Sequence, residues 1–477
     1  MRGVWPVAAV RAAEEALMAQ LPDGVLMQRA AAGLATHCAA ALDRVYGARV
    51  VLLVGAGNNG GDALYAGARL AARGARVDAL LLAPDRAHAG GLAALRAAGG
   101  RAVPARPEAV AGADLVVDGI LGIGGKGGLR PDAAALAQAG ADSGATLVAV
   151  DLPSGVDADT GAVAGAAFDA DLTVTFGVRK PGLIVGEGAR HAGEVALVDI
   201  GLLPYLPAPD TRVLEDADVR QLLPVPGPGD DKYTRGVAGI VAGSPTYGGA
   251  AVMCVGAALH TGAGMVRYAG HAADAVRARW PEAVVTDGRP TQAGRVQAWV
   301  VGPGLGVDDD ARALLREVLH SDVPVLVDAD GITLLAAEPD LVRRRTAPTV
   351  LTPHDREFAR VAGDVGTDRI GAAKRAAADL GVTMLLKGNA TVVAAPDGHA
   401  YVNPTGTPWL ASAGTGDVLS GCIGALLAAG LPAPEAAASG AYLHGLAGAL
   451  AADGAPTTAV GVLTALPAAR RRLPGRS

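Results

Sequence analysis

Residues 50–71 read VVLLVGAGNNGGDALYAGARLA: an apolar run, a glycine-rich loop and an alanine-rich stretch. The apolar run predicts a buried strand, and the alanine-rich stretch predicts a helix. Glycine lets a backbone come close to a ligand, and the free amides at the start of a helix attract anions. The stretch therefore predicts a strand–loop–helix unit of an α/β fold, with a binding site at the loop.

A second glycine-rich loop before a helix lies at residues 403–430, NPTGTPWLASAGTGDVLSGCIGALLAAG. Each loop carries one aspartate, Asp62 in the first and Asp417 in the second, and we place both in the first turn of the following helix. Two such loops of different design predict two nucleotide-sized sites and allow two reactions.

The organisation of the chain follows the same alternation of strand and helix. From Arg49 onward, short apolar runs alternate with alanine-rich stretches, which is typical of mostly parallel sheets covered by helices. The chain of 477 residues is longer than a domain with a single hydrophobic core usually is. The stretch LLPYLPAPDT at 202–211 also interrupts the alternation of strand and helix. We therefore predict two α/β domains, residues 1–209 and residues 210–477.

The predicted strands of the first domain are 50–54, 77–83, 114–121, 146–153, 172–177 and 194–201, after two amphipathic helices within 10–42. The predicted strands of the second domain are 236–244, 265–270, 298–304, 323–330, 349–354 and 382–388, followed by a hairpin about Asp397-Gly398. Its predicted helices are 249–260, 308–320, 370–380, 417–429 and 435–452.

Composition limits the class of protein. A net charge of −6, 3% aromatic residues and the lack of a basic stripe argue against a nucleic-acid partner. No apolar run reaches the ~18–20 residues of a membrane span, and the N-terminus does not resemble a secretory signal. We expect a soluble, cytoplasmic homo-oligomer without a membrane partner. Cys38, Cys254 and Cys422 lie far apart among apolar neighbours, which predicts buried free thiols.

The first loop satisfies the dinucleotide pattern G-x-G-x-x-G at residues 55–60. Asn58, Asn59 and Asp62 set it apart from an ordinary dehydrogenase loop, because a carboxylate there repels a pyrophosphate. The alternative for Asp62 is that it only complements the helix dipole.

Further polar residues follow the predicted strands, where open α/β sheets bind ligands. Asp118 and Asp151 close two strands, and Ser154 and Asp157 come shortly after Asp151. Such oxygens suit a hard cation. They also suit the capping of helices and turns.

Three motifs, GAGNNGGDA (55–63), VDGILGIGG (117–125) and DLPSGVDADTG (151–161), resemble those of the NAD(P)H-hydrate epimerase domain. The resemblance covers residues 1–209 and implies a Rossmann-like three-layer domain. It also implies a potassium-dependent isomerase that interconverts the R and S epimers of hydrated NADH or NADPH. The sequence departs from the common pattern at Ala63, where glycine is usual, and in the longer loop GIGGKGGLR (122–130).

Carried over by position, the resemblance assigns potassium to Asn59, Asp118 and Ser154. It assigns the hydrated dinucleotide to Asn58, Asn59, Gly60, Gly61, Asp62, Gly122, Ile123, Gly124, Gly125, Lys126, Gly127, Gly128 and Asp151. Epimerisation by ring opening or through an iminium needs a proton shuttle, and we assign that catalytic role to Asp151.

In the second loop, Gly414 and Gly416 free successive amides to face an anion, and the following helix adds its positive end. Bound phosphate would raise the pKa of Asp417, which suits a base that takes a proton from an attacking hydroxyl. The alternative for Asp417 is a helix cap. Lys387 and His354 follow predicted strands, and each has a structural alternative as a solvated charge or a structural histidine.

Five motifs resemble the NAD(P)H-hydrate dehydratase family, which has a ribokinase-like three-layer fold: AGSPTYGGA (242–250), VGPGLG (301–306), TPHDREFARV (352–361), KGNAT (387–391) and SAGTGDVLSG (412–421). The resemblance covers residues 210–477 and implies a lyase that dehydrates the S epimer. It also implies that ADP is consumed to AMP and phosphate, with Mg²⁺ accompanying the nucleotide. Thr407 stands where the family usually has asparagine.

This second resemblance assigns the hydrate to Ala250, one of the glycines Gly302, Gly304 and Gly306, His354 and Asp417. It assigns ADP to Lys387, Gly388, Asn389, Ala390, Thr391 and Gly416. Because a phosphate ester leaves more readily than hydroxide, Asp417 would act as the base that activates the hydroxyl.

Together the two resemblances indicate a bifunctional metabolite-repair enzyme whose ligands are NADHX or NADPHX and ADP. Two alternatives remain open from the sequence. One is a ribokinase-like small-molecule kinase with an accessory N-terminal domain, since the GTGD motif is shared with such kinases. The other is a non-catalytic nucleotide sensor.

Overall fold

The protein forms two compact units in a computed structural model that describes residues 1–474. One unit is Gly3–Pro209, and the other contains Met1–Arg2 and the chain from Asp210 onward. The division follows Pro209, inside the proline-rich stretch 202–211. Met1 and Arg2 thus group with the later part of the chain, whereas the sequence assigned them to the first domain.

The elements up to residue 209 alternate as the apolar pattern predicts. In chain order they are β1 (Arg2–Val4), α1 (Val7–Met18), α2 (Val25–Ala40), β2 (Arg49–Val54), α3 (Asn58–Ala72), β3 (Arg76–Leu81), α4 (Ala89–Ala97), β4 (Arg101–Val103), β5 (Leu115–Gly119), α5 (Pro131–Ala141), β6 (Thr146–Val150), β7 (Leu172–Phe176), α6 (Gly188–His191) and β8 (Glu194–Val198).

The sheet of the first unit has seven strands in the order β4-β3-β2-β5-β6-β7-β8. All neighbouring strands pair in parallel. The order reverses between β2 and β5, and the crevice at such a reversal is where open α/β sheets bind ligands. The loops after β2 and β5 meet there so closely that a Cβ at Gly55 would lie 2.0 Å from the Ile120 carbonyl oxygen.

The second unit is also an α/β unit. Its elements are β9 (Thr211–Val213), α7 (Asp216–Leu222), β10 (Val237–Val241), α8 (Gly248–Thr261), β11 (Met265–Ala269), α9 (Ala273–Arg279), β12 (Val284–Thr286), β13 (Ala298–Val301), α10 (Asp309–Leu319), β14 (Val325–Val327), α11 (Asp330–Leu335), α12 (Asp340–Arg343), β15 (Thr349–Leu351), α13 (Asp355–Ala362), α14 (Arg369–Leu380), β16 (Thr383–Leu386), β17 (Thr391–Ala394), β18 (Ala400–Asn403), α15 (Thr415–Ala428), α16 (Ala433–Ala452) and α17 (Ala459–Arg472).

Strands of this unit follow the order β9-β18-β17-β16-β15-β14-β13-β10-β11-β12 in one sheet. The pairs from β12 to β16 are parallel, and the hairpin β17–β18 is antiparallel, as the sequence predicts. The order reverses between β10 and β13. A backbone hydrogen bond of 2.8 Å from Gly243 to the Pro303 carbonyl joins the loops after these two strands.

Small residues fix the position of α15, the helix that follows the second glycine loop. A Cβ at Gly421 would lie 2.2 Å from the Cys254 carbonyl oxygen of α8, and one at Gly424 would lie 2.2 Å from a methyl carbon of Val300 on β13. Glycine at these positions lets the helix pack directly against α8 and the sheet. The start of α15 is therefore held rigidly over the ends of the central strands.

Two expectations from composition can be checked over residues 1–474. Cys38, Cys254 and Cys422 are buried and form no disulfide, which confirms the prediction of free thiols. No helix in this part of the chain has both the length and the apolar character that crossing a membrane requires.

Candidate active sites

The first glycine loop places Asp62 on the inside of the first unit. Because α3 begins at Asn58, Asp62 lies in its second turn, and the placement in the first turn was wrong. Its side chain is buried, and Oδ1 has no hydrogen-bond partner. Burial, followed by the charges of Asp151 and Glu14, raises the pKa of Asp62 well above its usual value. An unsatisfied buried acid is costly in a merely structural position, so Asp62 remains a candidate for contact with a ligand.

Asp151 is held in a constrained position at the end of β6. Its backbone has a φ of 66°, the left-handed region that residues other than glycine rarely adopt. Its Oδ1 accepts hydrogen bonds from the Lys180 ammonium at 2.5 Å and from the Thr175 hydroxyl at 3.1 Å. Lys180 is only 1% exposed, so this ion pair is buried. The surroundings therefore fix the direction in which the Asp151 carboxyl group points.

Glu14 of α1 belongs to the same group of charges, although the sequence did not indicate it. Burial and the Asp151 carboxylate raise the pKa of Glu14, while Lys180 and Arg11 lower it. Glu14, Asp62 and Asp151 thus share one neighbourhood with one buried lysine. Carboxylates that repel each other in this way retain a proton more readily, which is what a proton shuttle needs.

Asp118 and Ser154, two of the residues assigned to potassium, are in direct contact. The Ser154 hydroxyl donates to Asp118 Oδ1 at 2.7 Å, and the Ser154 amide donates to Oδ2 at 2.8 Å. Burial raises the pKa of Asp118 to about 6, against the lowering effect of these hydrogen bonds. The third residue, Asn59, lies nearby: its backbone oxygen would be 3.2 Å from a Cβ at Gly119, next to Asp118.

The loop from Gly122 to Gly128 is held at both ends and exposed at its tip. A Cβ at Gly122 would lie 2.9 Å from the Asn59 side-chain oxygen, and one at Gly128 would lie 2.5 Å from the Ala164 carbonyl oxygen. Lys126 is exposed. The structure therefore brings the start of this loop to the first site.

In the second unit, Asp417 lies at the start of α15. Gly414, with a φ of 88°, is the N-cap residue of α15, and no side chain caps this helix. Asp417 therefore lies in the first turn, as predicted, without serving as the cap. Burial, together with the charge of Asp328, raises its pKa to about 7, although Lys387 lowers it. A carboxyl group with this pKa is suited to accept a proton at neutral pH.

Lys387 lies beside the start of α15 and is held by two acids. Its ammonium is 2.9 Å from Asp328 Oδ1 and 3.7 Å from Glu357 Oε2. Burial alone would lower the pKa of Lys387, but these acids outweigh it and the pKa is raised. A Cβ at Gly416 would lie 3.8 Å from the Lys387 ammonium. The lysine charge is therefore beside the amides that would face an anion.

Three further side chains at this site carry no assignment from the sequence. Ser420 donates to Asp328 Oδ2 at 2.7 Å and so fixes the acid that holds Lys387. His444 of α16 is buried, and its Nε2 has no hydrogen-bond partner. Burial lowers the pKa of His444 to about 4, so it is neutral at physiological pH. Asp328 closes a buried strand, which is the signal that identified Asp118 and Asp151.

The remaining predicted loops converge on the same end of the sheet. A Cβ at Gly304 would lie 2.8 Å from Cβ of Ala250, and the Gly306 amide donates to Asp330 Oδ2 at 2.9 Å. Gly302 cannot carry a side chain, because a Cβ there would lie 2.1 Å from the Asp328 carbonyl oxygen. The loops after β10, β13 and β14 therefore form one wall.

His354 has a structural role that the sequence left as an alternative. Its Nδ1 accepts hydrogen bonds from the amides of Arg356 and Glu357, and Glu357 accepts from the His354 amide at 2.9 Å. This reciprocal arrangement is a capping box at the start of α13. The cap keeps Glu357 next to Lys387, and the contact of His354 with the hydrate remains a prediction.

Comparisons with known proteins match family models in both parts of the chain. Residues 238–466 match the model for NAD(P)H-hydrate dehydratase, and residues 23–182 match the model for the YjeF-related protein N-terminus. The chain is similar to the ADP/ATP-dependent NAD(P)H-hydrate dehydratase of Bacillus subtilis, co-crystallised with ATP and Mg²⁺, at 30% identity and a TM-score of 0.50. That match covers 55% of this chain and 98% of the other. A ribokinase-like superfamily protein of Enterococcus faecalis matches with a TM-score of 0.51 at 27% identity, covering 56% of this chain and 98% of the other.

Relatives that match over both units show the family. The bifunctional NAD(P)H-hydrate repair enzyme of Mycobacterium leprae is 56% identical over 441 residues, covering 91% of each chain. The enzyme of the same name from Corynebacterium glutamicum is 39% identical over 507 residues, covering 90% of this chain and 87% of its own. The chain therefore belongs to the family of bifunctional NAD(P)H-hydrate repair enzymes.

Proposed function

We propose that this protein restores hydrated NADH and NADPH in two steps. The first unit interconverts the R and S epimers of the hydrate. The second unit dehydrates the S epimer and converts ADP to AMP and phosphate. Because the second step uses one epimer, the first step lets both epimers reach the same product.

The observation that carries this proposal is the position of Asp417. A carboxyl group with a pKa of about 7 lies in the first turn of α15, and the Lys387 ammonium lies beside the same turn. The free amides of that turn and the lysine together attract phosphate. This position supports the proposal because a proton acceptor would lie directly beside the bound phosphate.

This arrangement explains how a poor leaving group becomes a good one. Asp417 takes the proton of the C6 hydroxyl, and the oxygen attacks the terminal phosphorus of ADP, so that AMP leaves. The carbon–oxygen bond of the phosphate ester then breaks with assistance from the ring nitrogen, and inorganic phosphate leaves with the electron pair. Loss of a proton from the neighbouring ring carbon gives the dihydronicotinamide.

In our proposal, the other residues of the second site bind the phosphate, hold its partners in place or contact the ligands. Lys387 balances the charge of the transferred phosphoryl group, and Ser420 and Glu357 hold Asp328 and Lys387 in place. Mg²⁺ that accompanies the nucleotide would neutralise its phosphates. The glycine loops at 302–306 and Ala250 leave room for the hydrate, and residues 387–391 contact ADP.

For the first unit we propose that Asp151 moves the proton. Lys180 fixes the carboxylate, and Glu14 and Asp62, whose own pKa values are raised in part by Asp151, lie beside it. Asn59, Asp118 and Ser154 supply oxygens of the kind an alkali cation binds, and potassium held there would help to orient the substrate oxygens. Residues 58–62 and 122–128 would contact the dinucleotide.

The reaction itself distinguishes this proposal from a kinase. We expect pure S hydrate of NADPH, supplied with ADP and Mg²⁺, to regain absorbance at 340 nm in step with the release of AMP and phosphate. The R hydrate should react as fully, at a rate above that of spontaneous epimerisation. Accumulation of a stable phosphorylated alcohol without recovery at 340 nm would instead identify a small-molecule kinase.

A further inference from the structure

A cavity of about 480 Å³ lies at the far end of α15 from Asp417. Its wall includes the ends of three helices: residues near Gly262 after α8, Ala429 after α15 and Arg471 near the end of α17. A helix of the length of α15 spans about 20 Å. The cavity is therefore separate from the site at the start of that helix. We call it the basic cavity, after its lining residues Arg220, Arg235, His260, Arg470 and Arg471.

Within residues 1–474, the positive charge of the basic cavity is not fully matched by negative charge. None of its four arginines forms an ion pair with a carboxylate in the chain up to residue 474. Asp230 is the one acid among the described lining residues. Its oxygens already accept hydrogen bonds from the Gly227 amide and the Thr234 hydroxyl.

Acids on the same helix as Arg220 are occupied elsewhere. Asp216 accepts a hydrogen bond of 2.6 Å from the Tyr442 hydroxyl. Asp218 pairs with the amino terminus of Met1 at 2.6 Å, and Glu215 pairs with Arg2. Within residues 1–474, the charges of Asp218 and Glu215 are therefore balanced by the amino terminus and Arg2, and no acid of this helix forms an ion pair with Arg220.

The partial negative charge at helix C-termini offsets only part of the positive charge of the arginines. Arg470 donates to the Thr261 carbonyl at 3.2 Å, and Arg235 donates to the Gly262 carbonyl at 3.2 Å, so both cap the end of α8. Each helix C-terminus carries about half a negative charge, and three of them cannot balance four guanidinium groups. Among the residues up to 474, Arg220 and Arg471 have no such carbonyl partner, and the buried Nε of Arg220 has no hydrogen-bond partner there.

The guanidinium groups are also close enough to affect one another. Burial lowers the pKa of Arg470, and the charges of Arg220 and Arg235 lower it further. Like charges gathered around a cavity without counter-charge destabilise the unliganded protein. The repulsion is relieved when a multiply charged anion enters the cavity.

We propose that the basic cavity binds a small molecule carrying a di- or triphosphate group, at a site distinct from the site at Asp417. Guanidinium groups bind phosphate oxygens in pairs, and several of them favour a multiply charged group over a single carboxylate. The apolar residues Pro224, Leu426 and Pro467 line the same space and would contact the uncharged part of such a ligand. The proposal does not depend on the reaction at the other end of α15.

Calorimetric titration with inorganic tripolyphosphate tests this proposal on the full-length protein. AMP and inorganic phosphate are kept in excess without Mg²⁺, so that the site at Asp417 is already filled by groups that carry only single phosphates and the basic cavity stays open. We expect one further equivalent to bind, and we expect the double variant Arg220→Gln, Arg471→Gln to weaken it at least about tenfold. Raising the ionic strength from about 0.1 M to about 1 M should also weaken binding, since the Debye length falls from about 10 Å to about 3 Å.

Two further variants keep the test independent of folding. Arg471 is exposed, so Arg471→Gln alone leaves the core intact and should still weaken the additional equivalent. Arg344, whose side chain is 82% exposed away from the cavity, provides the matched control Arg344→Gln, which should bind as the unaltered protein does. The proposal is overturned if the unaltered protein binds no additional equivalent, or if the Arg220 and Arg471 variants bind it unchanged.

Discussion

Replacing Asp417 by Asn is expected to lower the turnover number of the dehydration by about 10²–10⁴-fold, the usual contribution of a positioned general base. The amide has nearly the same shape but cannot take the proton of the hydroxyl. It also removes a negative charge from beside the phosphate, so ADP should bind at least as tightly as before. Recovery of absorbance at 340 nm measures the rate, and calorimetric titration measures the binding of ADP.

The pH dependence of the unaltered protein provides a second readout of the same residue. Because the pKa of Asp417 is raised to about 7, the carboxyl group is protonated below that pH and can no longer act as a base. We expect kcat/KM to fall about tenfold per unit of pH below about 7. Asp309, whose side chain is fully exposed, provides the control Asp309→Asn. Equal turnover in Asp417→Asn would contradict the assignment.

Replacing Asp151 by Asn is expected to lower the rate of epimerisation above the spontaneous background by about 10²–10⁴-fold. The carboxylate is the group that Lys180 and Thr175 orient, and an amide in its place cannot move a proton. Chromatography of the R and S hydrates with time measures this rate. Dehydration of pure S hydrate by the same sample should be unchanged, which shows that the second unit is intact.

The variant Lys180→Met tests whether Lys180 positions Asp151 for catalysis as well as stabilising the fold of the first unit. Removing one partner of a buried ion pair costs about 3–5 kcal/mol in the free energy of unfolding, because the other charge remains buried. Here the Asp151 carboxylate would lose the ammonium that fixes its position, so epimerisation should slow. Thermal unfolding measures the loss of stability. Unchanged epimerisation in a folded Asp151→Asn variant would show that another group moves the proton.

Most of the fold could be predicted because it is encoded locally. Runs such as VVLLV at 50–54 are too apolar for anything but a strand buried on both faces, and the structure places β2 there. Two other elements gave no such signal: β4 has only three residues, and the longer helix α17 carries Pro467 inside it. Asp62 was assigned to the wrong turn because sequence alone does not show that α3 begins at Asn58.

The candidate sites could be predicted only where a local sequence pattern indicates them. Asp118, Asp151 and Asp417 stand at strand ends or in a glycine loop, where neighbouring residues indicate a site. Lys180 and Glu14 are 29 and 137 residues from Asp151 and reach it only through the packing of β7 and α1. Distances of this kind along the chain leave no local pattern.

The residues around Lys387 are also distant along the chain, and their contact with it could not be predicted from a local pattern. Asp328 is 59 residues away along the chain, and His444 approaches the loop at Thr415 from α16. The sequence indicated Lys387 because it closes a strand, but the acids that fix its position became visible only in the sheet. Asp328 itself closes a strand, so the same rule would have identified it.

Isotopic labelling of the C6 hydroxyl tests most directly whether that oxygen leaves as phosphate. S hydrate carrying ¹⁸O at C6 is converted with unlabelled ADP and Mg²⁺, and the released inorganic phosphate is analysed by mass spectrometry. If Asp417 directs the hydroxyl onto phosphorus, the label appears in inorganic phosphate. Label recovered in water, with unlabelled phosphate, would contradict this mechanism.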